Sequence, residues 1–296
     1  MEEIEVVDLD IGKLLLDDGV EISKIVLSGI DANIYRDKNI PFDYSKFPKL
    51  PHQALGQIKT YLNIGKVEIR KSVLLYEQLS EGAEIVGGVP IKDLYATIYN
   101  VTNNRNVIAT NGPMKWDVQL KLFDVGELSL AVDFPKDLNE NSFSFSGKMG
   151  EMDMLAFNQI TVPTERLKVK KGTIKSMEFN AVANNDISSG TLVMNYSDLK
   201  IEVLKEYKEE EQKRLGLVSS LANTVIRSFN PGRKGNKEPE QAEIFFERDK
   251  NKGIINYLVK SLISGIKGSI IPGFGMTLEK YEKQQEKETK KEKRKH

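Results

Sequence analysis

The stretch Leu167–Leu204 limits what this chain can fold into more than any other. Met177, Phe179, Ala181 and Ala183 alternate with polar residues, Asn184-Asn185-Asp186 follow as a polar turn, and Leu192, Met194 and Tyr196 alternate again. After Ser197-Asp198 the alternation restarts at Leu199. A period of two puts every second side chain on one face of a sheet, so the pattern predicts two long strands, each with one buried and one wet face. A chain built around such a hairpin must supply further strands, because a two-stranded ribbon alone is marginal in water.

Those strands are legible on the N-terminal side. Trp116, Val118, Leu120 and Leu122 alternate, Asp124-Val125-Gly126 turn, and Leu128, Leu130, Val132 and Phe134 alternate before Pro135 stops the strand. Phe143 and Phe145 start another strand. Residues 149–160 allow a short helix, and Pro163 leads into the central hairpin. Residues 57–103 read as strands around Val67, Ile69, Val73–Tyr76 and Ile91–Val101, with a Gly87-Gly88 turn. Residues 1–40 read as a strand, a turn at Asp17-Asp18-Gly19 and further strands. The two blocks echo each other loosely: Ile22-Ser-Lys-Ile25-Val-Leu27 up to Tyr35 parallels Val67-Glu-Ile69 up to Tyr76. Between them, residues 38–53 carry Pro41, Pro48 and Pro51 and read as an extended loop.

The character changes at Leu204. Leu215, Val218, Leu221, Ala222, Val225, Ile226 and Phe229 fall at helical spacing, which predicts an amphipathic helix over 206–228 closed by Asn230-Pro231-Gly232. After a polar loop at 231–240, Ala242–Asp249 reads as a last strand. A second helix over 254–271 carries Leu258, Leu262, Ile266 and Ile270 on one stripe, interrupted by Lys260 and Lys267. Residues 279–296 hold eight Lys/Arg and five Glu in eighteen positions, the composition of a solvated helix or a disordered tail. The expected division is a repetitive antiparallel β region (1–204), a helix–strand–helix cap (205–278) and a charged tail (279–296).

Several function classes drop out. Lys+Arg and Asp+Glu are 43 each, without the basic excess a general nucleic-acid binder needs to neutralise phosphates. With no cysteine, disulfide frameworks, thiolate metal sites and thiol nucleophiles are impossible. The two histidines, His52 and His296, are far apart; no metal set forms around them, and His52 in Leu50-Pro51-His52-Gln53 reads as a surface loop residue. No nucleophile elbow, phosphate loop or zinc-protease motif is present. Asp31, Asp93, Asp117 and Asp198 sit at strand ends or on polar faces, where a solvated sheet face explains them better than a paired-carboxylate site. Asn100-Val-Thr102 has the form of a glycosylation sequon but reads as strand end and turn. No signal peptide and no run of roughly 18 apolar residues is visible. Val6–Ile11 starts as if inside a strand, which suggests a piece of a longer chain.

The order of these pieces resembles the C-terminal region of large AsmA-like proteins of Gram-negative bacteria. The resemblance is carried by Tyr76-Glu77, by Asp93-Leu-Tyr-Ala-Thr-Ile-Tyr-Asn-Val-Thr-Asn103, and by Gly190-Thr-Leu192 with Tyr196-Ser-Asp-Leu-Lys-Ile201. It continues in Phe246-Glu-Arg-Asp249 and Asn256–Lys267, and covers most of 57–271. It implies a long periplasmic structure behind an inner-membrane anchor that this chain does not contain. That structure would be an elongated, curled antiparallel sheet of repeated hairpins, mainly β, forming an open trough with two C-terminal amphipathic helices, similar to bridge-like lipid-transfer proteins. Its apolar lining would hold phospholipid tails while the head groups stay wet. On this expectation Val118, Leu120, Leu122, Leu128, Leu130, Val132, Leu192, Met194 and Tyr196 line the groove. Arg248, Lys260 and Lys267 meet anionic head groups, and membrane or envelope proteins are further partners. No catalytic residue, metal or cofactor is expected. Alternation serves a closed sandwich equally well, so a structural or protein-binding β module is the rival reading. A carbohydrate-active β enzyme, with two carboxylates converging in a cleft, comes third.

Overall fold

The computed structural model describes residues 1–16, 19–204, 226–232, 238–271 and 273–292. Twelve strands form one open, mostly antiparallel sheet. They are β1 (Glu3–Leu9), β2 (Val20–Ser28), β3 (Asp31–Asp37), β4 (Leu62–Leu79), β5 (Val86–Thr102), β6 (Lys115–Leu122), β7 (Gly126–Asp133), β8 (Ser142–Met149), β9 (Met152–Asp153), β10 (Leu167–Asn184), β11 (Ile187–Val203) and β12 (Gln241–Glu247). The main path runs β1-β2-β4-β5-β6-β7-β8-β10-β11-β12, with β3 also on β4 and β9 also on β10. The described helices are α1 (Ile11–Leu16), α2 (Pro51–Leu55), α3 (Arg105–Asn111), α4 (Asn158–Glu165), α5 (Ile254–Ile270) and α6 (Leu278–Glu292). The fold is thus mainly β with two C-terminal helices, as the alternation predicts.

The central hairpin forms as its sequence dictates. β10 and β11 pair from Leu167↔Val203 to Ala183↔Ser188, and the Asn184 side chain closes the turn by accepting from the backbone amides of Asp186 (2.8 Å) and Ile187 (2.9 Å). The helix expected over 206–228 lies almost entirely outside the described residues, as do Asp17 and Asp18 of the first turn. The second helix is α5, and the charged tail is helical as α6 over Leu278–Glu292.

The N-terminal block departs from simple hairpins. β2 and β3 both run parallel to β4, so they form one strand line interrupted at Gly29-Ile30. The two segments whose sequences echo each other lie side by side, with Ile25 beside Val67, Leu27 beside Ile69 and Ile34 beside Tyr76. Parallel neighbours need a long crossover, and residues 38–61 supply it as a strap. The carbonyls of Tyr44 and Lys46 accept from the Asn251 side chain (2.8 and 3.0 Å), and the Pro48 carbonyl accepts from the Arg248 guanidinium. Arg36, at the end of β3, lies 4.7 Å from the Phe42 ring centroid, and Lys252, beyond β12, lies 5.3 Å from the same centroid. One ring is therefore flanked by cations from elements at opposite ends of the sheet path, which requires the sheet to be strongly curled.

The strap also corrects the reading of His52. It is fully buried, not on a surface loop, and sits in α2 with Nε2 2.8 Å from the Glu140 carbonyl and its ring 5.4 Å from Phe134. Leu50 and Leu55 enter the same core. A Pro-rich segment scores as loop by composition, yet here three of its side chains anchor the crossover to the sheet.

Strict alternation fails along one transverse line. Asp8, Ser23, Gly65 and Asn100 occupy one row across β1, β2, β4 and β5, with register unshifted on either side. Asp8 and Asn100 have φ of 53° and 54°. Apolar residues flank this row at a spacing of three, as in Ile22/Ile25, Ile64/Val67 and Ile98/Val101. Ile98 and Val101 both pack on the core, so the irregularity re-phases the strand and keeps its apolar side inward. Asp93 and Asp198, weighed above as carboxylates, also have positive φ (47° and 60°). Asp and Asn tolerate this region better than other non-glycine residues. Both are exposed to solvent and ion-paired, to Lys121 and Lys171 respectively.

Candidate functional site

Register turns the separate strands into continuous apolar rows. One row runs Ile4–Leu27–Ile69–Ala96–Val118–Leu130–Gly147–Phe179–Leu192–Ala242 across ten strands. Its neighbour runs Val6–Ile25–Val67–Ile98–Trp116–Val132–Phe145–Ala181–Gly190–Ile244. Neither row carries a polar side chain. Exposure changes along them: Ile4 is 56% and Val6 48% exposed, whereas Leu192 and Ile244 are fully buried.

The gradient has a structural cause. At the C-terminal end α5 lies on β11 and β12, burying Ile254, Tyr257, Leu258, Ser261, Gly265 and Ser269. The Ser261 hydroxyl meets that of Ser188 at 2.7 Å, and the Phe245 amide donates to the Ser264 hydroxyl (3.2 Å). Tyr196 is buried with its hydroxyl near the carbonyls of Arg227 (3.1 Å) and Ser269 (3.2 Å), and burial pushes its pKa up to about 12. In the middle, Phe134, Phe143, Phe145 and Phe179 stack beneath α2 and the strap. Towards β1 and β2 this cover thins out.

The nine residues expected to line a groove divide accordingly. Leu192, Met194, Tyr196 and Val132 are core residues at no more than 1% exposure, so protein already occupies the space over them. Leu122, Leu128 and Leu130 are half-buried and pack against that core. Val118 and Leu120 are half-buried outside the core cluster, on the side that continues into the open rows. Within the rows the exposed positions are Ile4 and Val6, both on β1, where Leu9 is exposed as well. Their signal is transverse, and it emerges only once registers are known.

The three expected head-group residues also divide. Arg248 is tied inward, to the Pro48 carbonyl and, at 3.1 Å, to the Asn185 side chain, with the Tyr257 ring 5.8 Å away. Burial pulls its pKa down while Tyr257 and Asp186 push it up. Lys260 and Lys267 instead share one stripe of α5 and line a cavity of about 310 Å³ at the free edge of β12.

No protein-family model matches this chain, and neither does any curated protein or solved structure. The AsmA-like resemblance thus rests on the residues quoted for it. Among the described residues no helix is long and apolar enough to cross a membrane, and no three acidic or histidine side chains converge as a metal site. Chemically, the arrangement offers an extended apolar surface that is sealed at one end and open at the other, with two lysines near the sealed end that pair with no acidic group among the described residues.

Proposed function

We propose that the chain is a non-enzymatic lipid-binding or lipid-transfer module of the Gram-negative cell envelope, holding acyl chains against the open half of its apolar rows. The observation that carries this reading is the pair of unbroken apolar rows, exposed on β1, half-buried over β2 and β4 and buried beneath α5. Monomeric soluble proteins rarely leave a broad contiguous apolar face to water. An acyl chain laid across strands would meet Ile4, Leu27, Ile69, Ala96 and Val118 in turn, gaining roughly 0.8 kcal/mol for each methylene buried. The carbonyls and hydroxyls of its ester end would stay in solvent. On this reading the groove is formed by β1 to β6, and the expected lining residues Leu192, Met194, Tyr196 and Val132 serve as its sealed floor. The family resemblance supports a periplasmic setting within a longer, membrane-anchored protein.

The rival reading, a structural or protein-binding β module without lipid, is favoured by the complete packing of the rows over β8 to β12. Native mass spectrometry of the purified chain, with lipid extraction and uptake of a fluorescent phospholipid from vesicles, separates the two. Lipid binding that is lost in Ile25→Glu/Leu120→Glu, with unchanged circular dichroism, is the expected result. A clean apo mass with no uptake from vesicles would overturn the lipid reading and leave the structural one.

A further inference from the structure

The cavity beside α5 has a chemistry of its own. Asn256, Lys260, Ile263 and Lys267 follow one another on a single helical stripe and face into it, and Phe245, Phe274 and Met276 complete an apolar wall. The amino groups of Lys260 and Lys267 make no hydrogen bond or ion pair within the described residues. Loss of solvent lowers the pKa of Lys267 and the charge of Lys260 lowers it further, against an upward pull from Glu165. Lys38, just beyond β3, behaves alike: loss of solvent lowers its pKa, Lys260, Arg36 and Lys252 add to this, and Glu165 opposes. Lys38 and Lys267 are thus both acted on by the charges of Lys260 and Glu165. The two carboxylates in the cavity wall are engaged: Asp249 pairs with Lys252 at 2.9 Å, and Glu243 accepts from the Leu278 amide at 2.7 Å. What remains is a pair of lysines above an apolar wall, Lys267 partly desolvated, with the Glu165 carboxylate acting from outside the cavity lining.

We infer that this cavity is a phosphate-binding site in which Lys260 and Lys267 hold a phosphate mono- or diester, with the wall of Phe245, Ile263, Phe274 and Met276 taking the first methylene groups of the molecule that carries it. Lysines supply point charges suited to a rotating phosphate, and partial desolvation strengthens the attraction. At about 310 Å³ the cavity accepts a head group but not two acyl chains. This inference deepens the lipid reading and rests on it for the source of the phosphate: the site would hold the head-group end of a lipid at the sealed end of the rows.

Isothermal titration of the whole chain with dodecyl phosphate, dodecyl maltoside and inorganic phosphate tests it. Dodecyl phosphate is expected to bind, and Lys260→Gln/Lys267→Gln to weaken it about ten- to a hundredfold, the loss of one charge-assisted contact or more. Dodecyl maltoside binding should not change with the lysines. Ile25→Glu/Leu120→Glu should leave dodecyl phosphate binding intact, since those residues lie on the open half. Inorganic phosphate binding as tightly as dodecyl phosphate, with the same lysine dependence, would assign the site to free phosphate. Dodecyl phosphate affinity unaffected by the lysine pair overturns the inference even where phospholipid uptake persists. Lysine-dependent binding without any phospholipid uptake would instead retire the groove and keep the site.

Discussion

Seating of α5 on the sheet can be tested with two glycines three residues apart. A Cβ on Gly265 would lie 2.8 Å from Ile244 Cγ1, 3.0 Å from Leu192 Cβ and 3.1 Å from Leu192 Cδ1. Leu192 and Ile244 are both fully buried, and a Cβ and a Cγ1 this close to the backbone cannot swing aside. A Cβ on Gly268 would find only Ala242 Cβ at 3.5 Å and the Glu243 carbonyl at 3.7 Å, ordinary contact distances. Replacing either glycine by alanine gains about 1 kcal/mol of helix propensity. At Gly265 that gain is set against an overpacking cost of roughly 1–3 kcal/mol. Gly265→Ala should therefore lose about 1 kcal/mol net, while Gly268→Ala gains about 0.5–1 kcal/mol. With an m-value of about 3 kcal/mol/M, the two urea midpoints should stand about 0.6 M apart, on opposite sides of the parent. Equal stabilisation by both substitutions would mean that α5 does not rest on Leu192 and Ile244, and the sealed end of the apolar rows would lose its cover.

Three further outcomes follow from groups already described. Asn230 is buried, donates to the carbonyls of Met194 (2.8 Å) and Glu240 (2.9 Å) and accepts from the Glu240 amide (2.7 Å); Asn230→Ala should cost about 2–4 kcal/mol in urea unfolding, and a loss under 1 kcal/mol would contradict that network. Burial is the main cause that holds His52 below its ordinary pKa of 6.5, with the Glu140 carbonyl opposing, so the unfolded chain binds the proton more readily. Its stabilising contribution is thus full above pH 6.5 and declines as pH falls below it; the pH slope of the melting temperature between 7 and 5 should flatten in His52→Gln. Asp198 has φ 60°, and its ion pair with Lys171 (3.4 Å) is solvent-exposed and adds little. Asp198→Asn should be near neutral, whereas Asp198→Val should cost about 1–2 kcal/mol; equal midpoints for the two variants would remove the backbone argument.

The parts of the fold legible in the sequence are those where a strand keeps its phase. The β10–β11 hairpin and the β6–β7 hairpin run without interruption of period two over most of their length, and their turns carry Asn and Asp side chains suited to them. The N-terminal block reads as strands, but its pairing is not legible, for two physical reasons. The row through Asp8, Ser23, Gly65 and Asn100 shifts apolar residues from a spacing of two to three, which resembles neither a strand nor a helix when one strand is inspected alone. The parallel pairing of β2 and β3 with β4 depends on the route of the 38–61 strap, and its anchors lie some two hundred positions away at Arg248 and Asn251. For the site, the sequence reveals which residues are apolar but not which are covered. Leu192 and Val118 have the same alternation, and only α5 makes one a floor and the other part of an open surface. Lys260 and Lys267 were visible as breaks in an apolar stripe; Lys38 was not, because nothing local links a residue after β3 to a helix two hundred positions later.

The strap also imposes a timetable on folding. Hairpins such as β6–β7 and β10–β11 can close as soon as their own residues exist, since their partners are adjacent in the chain. The contacts of Tyr44, Lys46 and Pro48 must wait for residues 248–251. During synthesis the sheet would therefore grow hairpin by hairpin from its N-terminal side while the crossover stays unfastened at residues 44–48, and the rows over β11 and β12 would remain uncovered until the last fifth of the chain arrives. Pairings this distant are slow to form and leave apolar surface exposed to other chains meanwhile. A cell making this protein has reason to keep that interval short or chaperoned, and truncation before Arg248 would leave the sheet without the fastening that links its two ends.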